Sequence, residues 1–224
     1  SRRDLSPGEW RFSDPRTVIL LPEGRRPEPG IPYEVRYLAT GARWLGAGYA
    51  AVRDLVSFLR RDEAGLQVIG PVAHASAIGI SQSGRFLRGY LRRGLNRDEG
   101  GRRVFDGVFS HVAGAGRVFM DEVFGQPTRT RTRHQDHDFP EADFPFADAV
   151  MDDPWSGVRA GVLSDPECDP RLIQTNTPTE YWQKGASLLH TDPLATRDLA
   201  IPQGSRVYMI AGTQHDARPG TSGA

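Results

Sequence analysis

The chain has 224 residues, enough for one domain with a core of its own, and Lys+Arg and Asp+Glu both total 28 for a formal net charge of +0. That balance gives no bulk electrostatic case for nucleic acid or an anionic membrane, and no apolar run approaches the roughly 18–20 residues of a membrane span. The single cysteine, Cys168, rules out an internal disulfide and a cysteine-ligated zinc site, so any partner has to be argued from a site.

Residues 1–32 are rich in Pro, Gly and Arg and are interrupted only by Val18-Ile19-Leu20-Leu21, which predicts a loop with one short strand. From Tyr33 to Ala39, Tyr33, Val35 and Tyr37 alternate with Glu34 and Arg36, the period of a strand with one wetter face. Val52, Leu55, Val56, Phe58 and Leu59 fall mostly three and four apart, predicting an amphipathic helix from Gly48 to about Arg61 with Gly65 as a stop signal. Ala73 to Ile80 is small and apolar, as suits a strand buried on both faces. A helical pattern of Phe86, Leu87, Tyr90 and Leu91 follows at once and ends at Gly94. Further strands are expected over Val104–Val112, Arg171–Thr175 and Arg206–Ala211, with a helix-like stretch from Thr177 to His190 before the last.

Alternation of strand and helix with apolar strands predicts an α/β fold, a mostly parallel sheet with helices on both faces, as a single domain over residues 1–224. The stretch from about 114 to 170 breaks this rhythm, being dense in Pro, Asp, Arg and Phe, and is expected to form a lid or substrate-binding cap. The chain starts at Ser1 and stops at Gly220-Thr221-Ser222-Gly223-Ala224, and neither end reads as a natural domain terminus.

Gly79-Ile80-Ser81-Gln82-Ser83 has the form small-x-Ser-x-small, placed where the buried strand turns into a helix. A nucleophile elbow needs this arrangement: the sharp turn exposes the Ser hydroxyl, the residues two before and two after must be small, and the helix N-terminus faces a developing oxyanion. Ser83 does not fit the nucleophile position, because Arg85 would occupy its rear small site. If Ser81 is the nucleophile, an acid and then a histidine must follow in the chain. Of the six histidines only His215 lies just beyond a late strand, with Gly212 to turn the chain. Glu180 lies between the last two strands, where an acid can orient that imidazole. Yet Thr177-Pro178-Thr179-Glu180 also reads as a capping box with Pro at the first helical position, and Asp192 and Asp198 compete for the same role.

Four blocks, Gly48–Arg60, Ser81–Arg88, Glu180-Tyr181-Trp182 with Ser187–Asp192, and Ala211–His215, together resemble the bacterial α/β-hydrolase-domain family whose elbow reads G-x-S-Q-S-G-R. The resemblance covers most of the chain from Tyr33 onward. It implies an α/β-hydrolase fold and a serine esterase, with Ser81 as nucleophile, Glu180 as acid and His215 as base. Related chains look longer at both ends, and they tend to carry Gly where this one has Asp216 after the histidine.

On this reading the backbone N–H of Gln82 supplies one oxyanion donor, a second is expected from a loop after an earlier strand, and neither cofactor nor metal is needed. The substrate is expected to be a small-molecule ester. An acyltransferase on the same triad, and a noncatalytic binding domain if the site is incomplete, are the alternatives.

Other constellations read more simply. His134-Gln135-Asp136-His137-Asp138 and Arg129-Thr130-Arg131-Thr132-Arg133 suit a solvated loop better than a metal or phosphate site. Gly114-Ala115-Gly116 has Phe119 where a dinucleotide loop needs its third glycine. Asp106 precedes its strand, at the end away from the elbow. His74 and His111 are expected to be core histidines with hydrogen-bond partners. Phe139, Phe144, Phe146 and Trp155 could line an apolar pocket or pack into the core.

Overall fold

The computed structural model describes residues 3–31, 33, 35, 38, 40–41, 47–61, 65, 69–118, 120 and 142–215. They belong to two compact units, one made by the described residues up to Gly41 and the other by those from Ala47 on.

In the first unit, Trp10–Asp14 (β1) and Thr17–Leu20 (β2) pair antiparallel, with Trp10 opposite Leu20 and Phe12 opposite Val18. The Arg16 N–H donates to Asp14 Oδ1 at 2.7 Å and closes the turn between them, a role that aspartate's short side chain favours. The apolar run predicts β2 alone. β1 carries only the alternation of Trp10 and Phe12, whose rings meet edge to face at 5.6 Å. Of the strand expected over Tyr33–Ala39, Tyr33, Val35 and Leu38 lie outside any strand, and its other residues fall outside those described.

The second unit opens with the helix Ala47–Arg61 (α1), which turns Tyr49, Val52 and Val56 toward the core and ends in Arg60 and Arg61, cations suited to a helix C-terminus. Then come the strand Ser76–Ile80 (β3), the helix Gln82–Arg92 (α2) and the strand Gly107–His111 (β4). Two short arms, Met151–Asp152 (β5) and Arg159–Ala160 (β6), pair antiparallel. Arg171–Asn176 (β7), the helix Pro178–Gln183 (α3), a 3-10 turn at Ala186–Leu189 and Ser205–Met209 (β8) complete the order. The helix expected from Thr177 to His190 is broken at Gly185, whose φ of 62° leaves the right-handed helical region.

β3, β4, β7 and β8 form one all-parallel sheet in the order β3-β4-β7-β8, with Ile80 beside His111, His111 beside Thr175 and Thr175 beside Tyr208. Parallel neighbours need crossovers, and β3-α2-β4 and β7-α3-β8 supply two of them. On one face Val108 and Leu172 pack with Leu87 and Leu91 of α2 and Tyr49 of α1. Tyr49 stacks on Phe86 at a ring separation of 4.6 Å, and a Cβ on Gly89 would fall 2.5 Å from the Tyr49 hydroxyl, so the glycine permits the close approach. The same face holds a polar network among nonpolar neighbours. Asp148 accepts two hydrogen bonds from Gln174 Nε2, at 2.9 and 2.8 Å, and one from the Ser205 hydroxyl at 2.5 Å, while Arg88 bonds Gln174 and the Phe146 carbonyl. Burial raises the Asp148 carboxyl against the opposing pull of Arg88, and burial lowers the Arg88 guanidinium.

The opposite face differs from expectation at β3. Ser76, Ile78 and Ile80 are exposed, Ile78 at 71%, so β3 is not buried on both faces. An apolar run marks a strand without stating how many of its faces are covered. Ile173 and Tyr208 continue this exposed row among the described residues.

In the stretch expected as a lid, residues 119 and 121–141 lie outside those described. Phe144, Ala147, Val162 and Leu163, from its described remainder, are buried.

Candidate active site

The turn at Ser81 follows from three local constraints. Ser81 has φ 56° and ψ −113°, a conformation that non-glycine residues rarely take. A Cβ on Gly79 would sit 2.5 Å from the Ser83 carbonyl oxygen, so only glycine lets β3 run into α2 so abruptly. Gly84 is similarly confined, since a Cβ there would meet Ser110 Oγ at 2.9 Å and Ala113 Cβ at 3.1 Å. The small position before Ser81 and the glycine that follows the motif are thus steric requirements of this corner.

Hydrogen bonds fasten the corner on both sides. The Ser81 N–H donates to the His111 carbonyl at 2.8 Å, continuing the β3-β4 ladder one residue past the strand, and its own carbonyl accepts from the Arg85 N–H at 3.0 Å. The Ser83 hydroxyl accepts the Ile80 N–H and donates to the Ile80 carbonyl, each at 2.8 Å, which ties the first helical turn to the strand end. A serine at an N-cap ordinarily turns its oxygen onto the helix N–H groups, but Ser81 makes no such side-chain bond. Its hydroxyl lies 2.9 Å from His215 Nε2 instead.

His215 reaches this place from a turn after β8. The Ile210 N–H donates to the Asn176 carbonyl at 2.8 Å, Gly212 turns the chain at φ 74°, and the Thr213 hydroxyl closes onto the Ile210 carbonyl at 2.7 Å. The imidazole Nδ1 lies 2.6 Å from Glu180 Oε1. A carboxylate can only accept, so Nδ1 carries the proton and the Nε2 lone pair faces the Ser81 hydroxyl.

Glu180 touches both His215 and the start of its own helix. Oε1 accepts from His215, while Oε2 accepts the Thr177 N–H at 2.9 Å and the Thr177 hydroxyl at 2.5 Å, within the capping box of α3. Its side chain is fully buried, whereas that of His215 is 44% exposed. Burial pushes the Glu180 carboxyl upward, but the hydrogen bonds from Thr177 and His215 outweigh it and hold the group below the usual carboxylate range.

The competing acids are engaged elsewhere. Asp192 accepts the Thr196 N–H and hydroxyl, both at 2.7 Å, within its own loop. Asp198 lies 3.7 Å from His190. Asp106, just before β4, accepts the Ala75 N–H at 3.0 Å and pairs with Arg60 at 2.9 Å. His111 is half-buried with Nδ1 2.7 Å from the Thr175 hydroxyl. His74, expected in the core, is instead 83% exposed, because it falls in the loop before β3 begins at Ser76.

Gln82 is the first residue of α2, a position whose N–H has no partner within the helix. Residues 129–138, with both the arginine-rich and the histidine-aspartate motif, lie outside the described residues. Among the described residues no cluster of three or more His, Cys, Asp or Glu side chains is placed to hold a metal. Phe144 is buried and meets Phe146 edge to face at 6.1 Å, while Trp155 is exposed and Phe139 falls outside the described residues. Thr177 donates two hydrogen bonds to the Glu180 carboxylate, and in the sequence it stands out only as the first letter of a capping box.

A serine on a strained strand-to-helix corner, at the carboxyl end of a parallel sheet strand and within hydrogen-bond distance of a late histidine, is the arrangement of an α/β hydrolase. Residues 30–222 match the family model described as alpha/beta hydrolase domain, and the chain belongs to that family. Comparison with curated proteins and with solved structures gave no match. Membership brings hydrolase-type enzyme function. No helix among the described residues is long and apolar enough to cross a membrane.

Proposed function

We propose that the chain is a serine hydrolase that cleaves small carboxylic esters through an acyl-enzyme on Ser81. The observation that carries this reading is the relay from Ser81 Oγ to His215 Nε2 at 2.9 Å and from His215 Nδ1 to Glu180 Oε1 at 2.6 Å. Both distances lie within the reach that proton transfer and imidazole orientation require.

The Ser81 oxygen attacks the ester carbonyl carbon as His215 Nε2 takes the hydroxyl proton. The resulting imidazolium is stabilised by the Glu180 carboxylate, and the oxyanion of the tetrahedral intermediate accepts the Gln82 N–H. Collapse breaks the bond to the alcohol oxygen, which takes the proton from Nε2 and departs. Water then attacks the acyl carbon as Nε2 takes one of its protons. A second collapse frees the acid and returns the proton to Ser81. Loss of one oxyanion donor typically costs about 2.7–4 kcal/mol of barrier, so the N–H at the helix start contributes materially.

A fluorophosphonate probe tests the reading directly. The folded chain should label at Ser81 and hydrolyse a p-nitrophenyl ester, and Ser81→Ala and His215→Ala should each lower kcat on the order of 10⁵-fold or more. A folded sample that neither labels nor hydrolyses refutes it. Faster turnover with an added alcohol than with water alone would make the chain an acyltransferase.

A further inference from the structure

Thr177 is wholly buried at the N-cap of α3, one residue past the end of β7. Its neighbour Asn176 is tied to both flanking strand ends. The Asn176 side-chain oxygen accepts the Gly114 N–H at 2.9 Å beyond β4, and its carbonyl accepts the Ile210 N–H at 2.8 Å beyond β8. The backbone that carries Thr177 is therefore fixed between β4 and β8.

A carboxylate offers two oxygens, and here they are divided. Oε2 takes both donors of Thr177, the N–H at 2.9 Å and the hydroxyl at 2.5 Å, which leaves Oε1 as the oxygen 2.6 Å from His215 Nδ1. A capping box requires the glutamate to accept the N-cap N–H, and asks the N-cap hydroxyl only to accept from the helix. A hydroxyl that donates to the carboxylate goes beyond what the cap needs.

We infer that Thr177 is a positioning residue for hydrolysis: its hydroxyl fixes the rotation of the Glu180 carboxylate so that Oε1 meets His215, and keeps that carboxylate ionised as the imidazole becomes charged. The inference rests on the reading of Ser81, His215 and Glu180 as the catalytic relay. Hydrogen bonds donated to a carboxylate favour its charged form, so losing the hydroxyl lets this buried group hold a proton at higher pH as well as rotate.

The test is the pH dependence of p-nitrophenyl ester hydrolysis by the full chain and its Thr177→Val and Thr177→Ser variants, with fluorophosphonate labelling of each. Thr177→Val should lower kcat about tenfold with KM unchanged and move the acid limb of kcat to higher pH, and Thr177→Ser should recover most of the loss. Should the valine variant fail to fold, Thr177→Gly carries the same expectation, because glycine costs an N-cap only a few tenths of a kcal/mol. A folded valine or glycine variant with lowered melting temperature but unchanged kcat and pH profile would reduce Thr177 to a helix cap. If the parent labels and turns over while the variants match it, only this inference fails; a parent that does neither overturns it together with the proposed function.

Discussion

Replacing Glu180 with glutamine sets helix capping against imidazole orientation, because the side chain keeps its length, loses its charge and exchanges one acceptor oxygen for a donor. The amide cannot serve both neighbours. With its oxygen toward His215 Nδ1, its NH2 faces the two Thr177 donors now at 2.9 and 2.5 Å from Oε2. Turned round, the NH2 faces Nδ1 and selects the tautomer with the proton on Nε2, which can no longer receive the Ser81 proton. The electrostatic loss adds to this. Unit charges about 4 Å apart interact by about 4 kcal/mol at an effective dielectric of ~20, and the imidazole's partial exposure screens part of that. A loss of about 2–4 kcal/mol in the transition state corresponds to roughly 30- to 1,000-fold in kcat. The assay is steady-state hydrolysis of a p-nitrophenyl ester at several pH values, beside thermal unfolding. Because the folded carboxyl titrates below its unfolded value, it adds stability above the unfolded carboxyl pKa and loses it as pH falls through the folded one. Glu180→Gln should therefore also flatten the acid side of the stability profile. A glutamine variant with parental kcat would refute the orienting role and leave the carboxylate as a cap.

Ser81→Gly should abolish labelling yet raise stability by about 1 kcal/mol, because a non-glycine residue held at positive φ stores about 1–3 kcal/mol that glycine releases. At this chain length that is ~2–4 °C in melting temperature by calorimetry, and an unchanged or lowered value would deny strain at the corner. Asp148→Ala should cost about 3–5 kcal/mol, read as a lower urea midpoint, since it leaves the Arg88 charge buried without its carboxylate partner. An unfolding free energy within about 0.5 kcal/mol of the parent would mean that the buried network holds nothing together.

The parts of the fold that are legible in the sequence are those whose signal is local. α1 and α2 carry an uninterrupted helical period, and β7 is a short stretch bracketed by Pro170 and Pro178. The elbow is legible because its steric rule is written in adjacent residues: Gly79 and Ser83 are the small positions it asks for, and Ser81 takes the strained conformation between them. Other features were hidden because their cause lies far along the chain. Asp148 sits in a stretch without period, yet Gln174 and Ser205, 26 and 57 residues away, hold it in the core. β5 and β6 span two residues each, too few for any alternation to register.

Glu180 is where local and distant signals met. Its spacing from Thr177 matches a capping box, and its place in the chain matches an acid, and the two readings compete only if the carboxylate is counted as one acceptor. It has two oxygens, and the structure assigns the local partner to Oε2 and the distant one to Oε1. In the proposed relay the cap therefore supplies order to the acid: a glutamate held at N3 by its own helix start has already lost most of its side-chain freedom before the histidine arrives from 35 residues downstream. An acid placed on an unstructured loop would have to be ordered by the imidazole alone. Building it into a helix start lets the backbone of β7 and α3 set its direction, so the relay is assembled by the same bonds that terminate a strand and begin a helix.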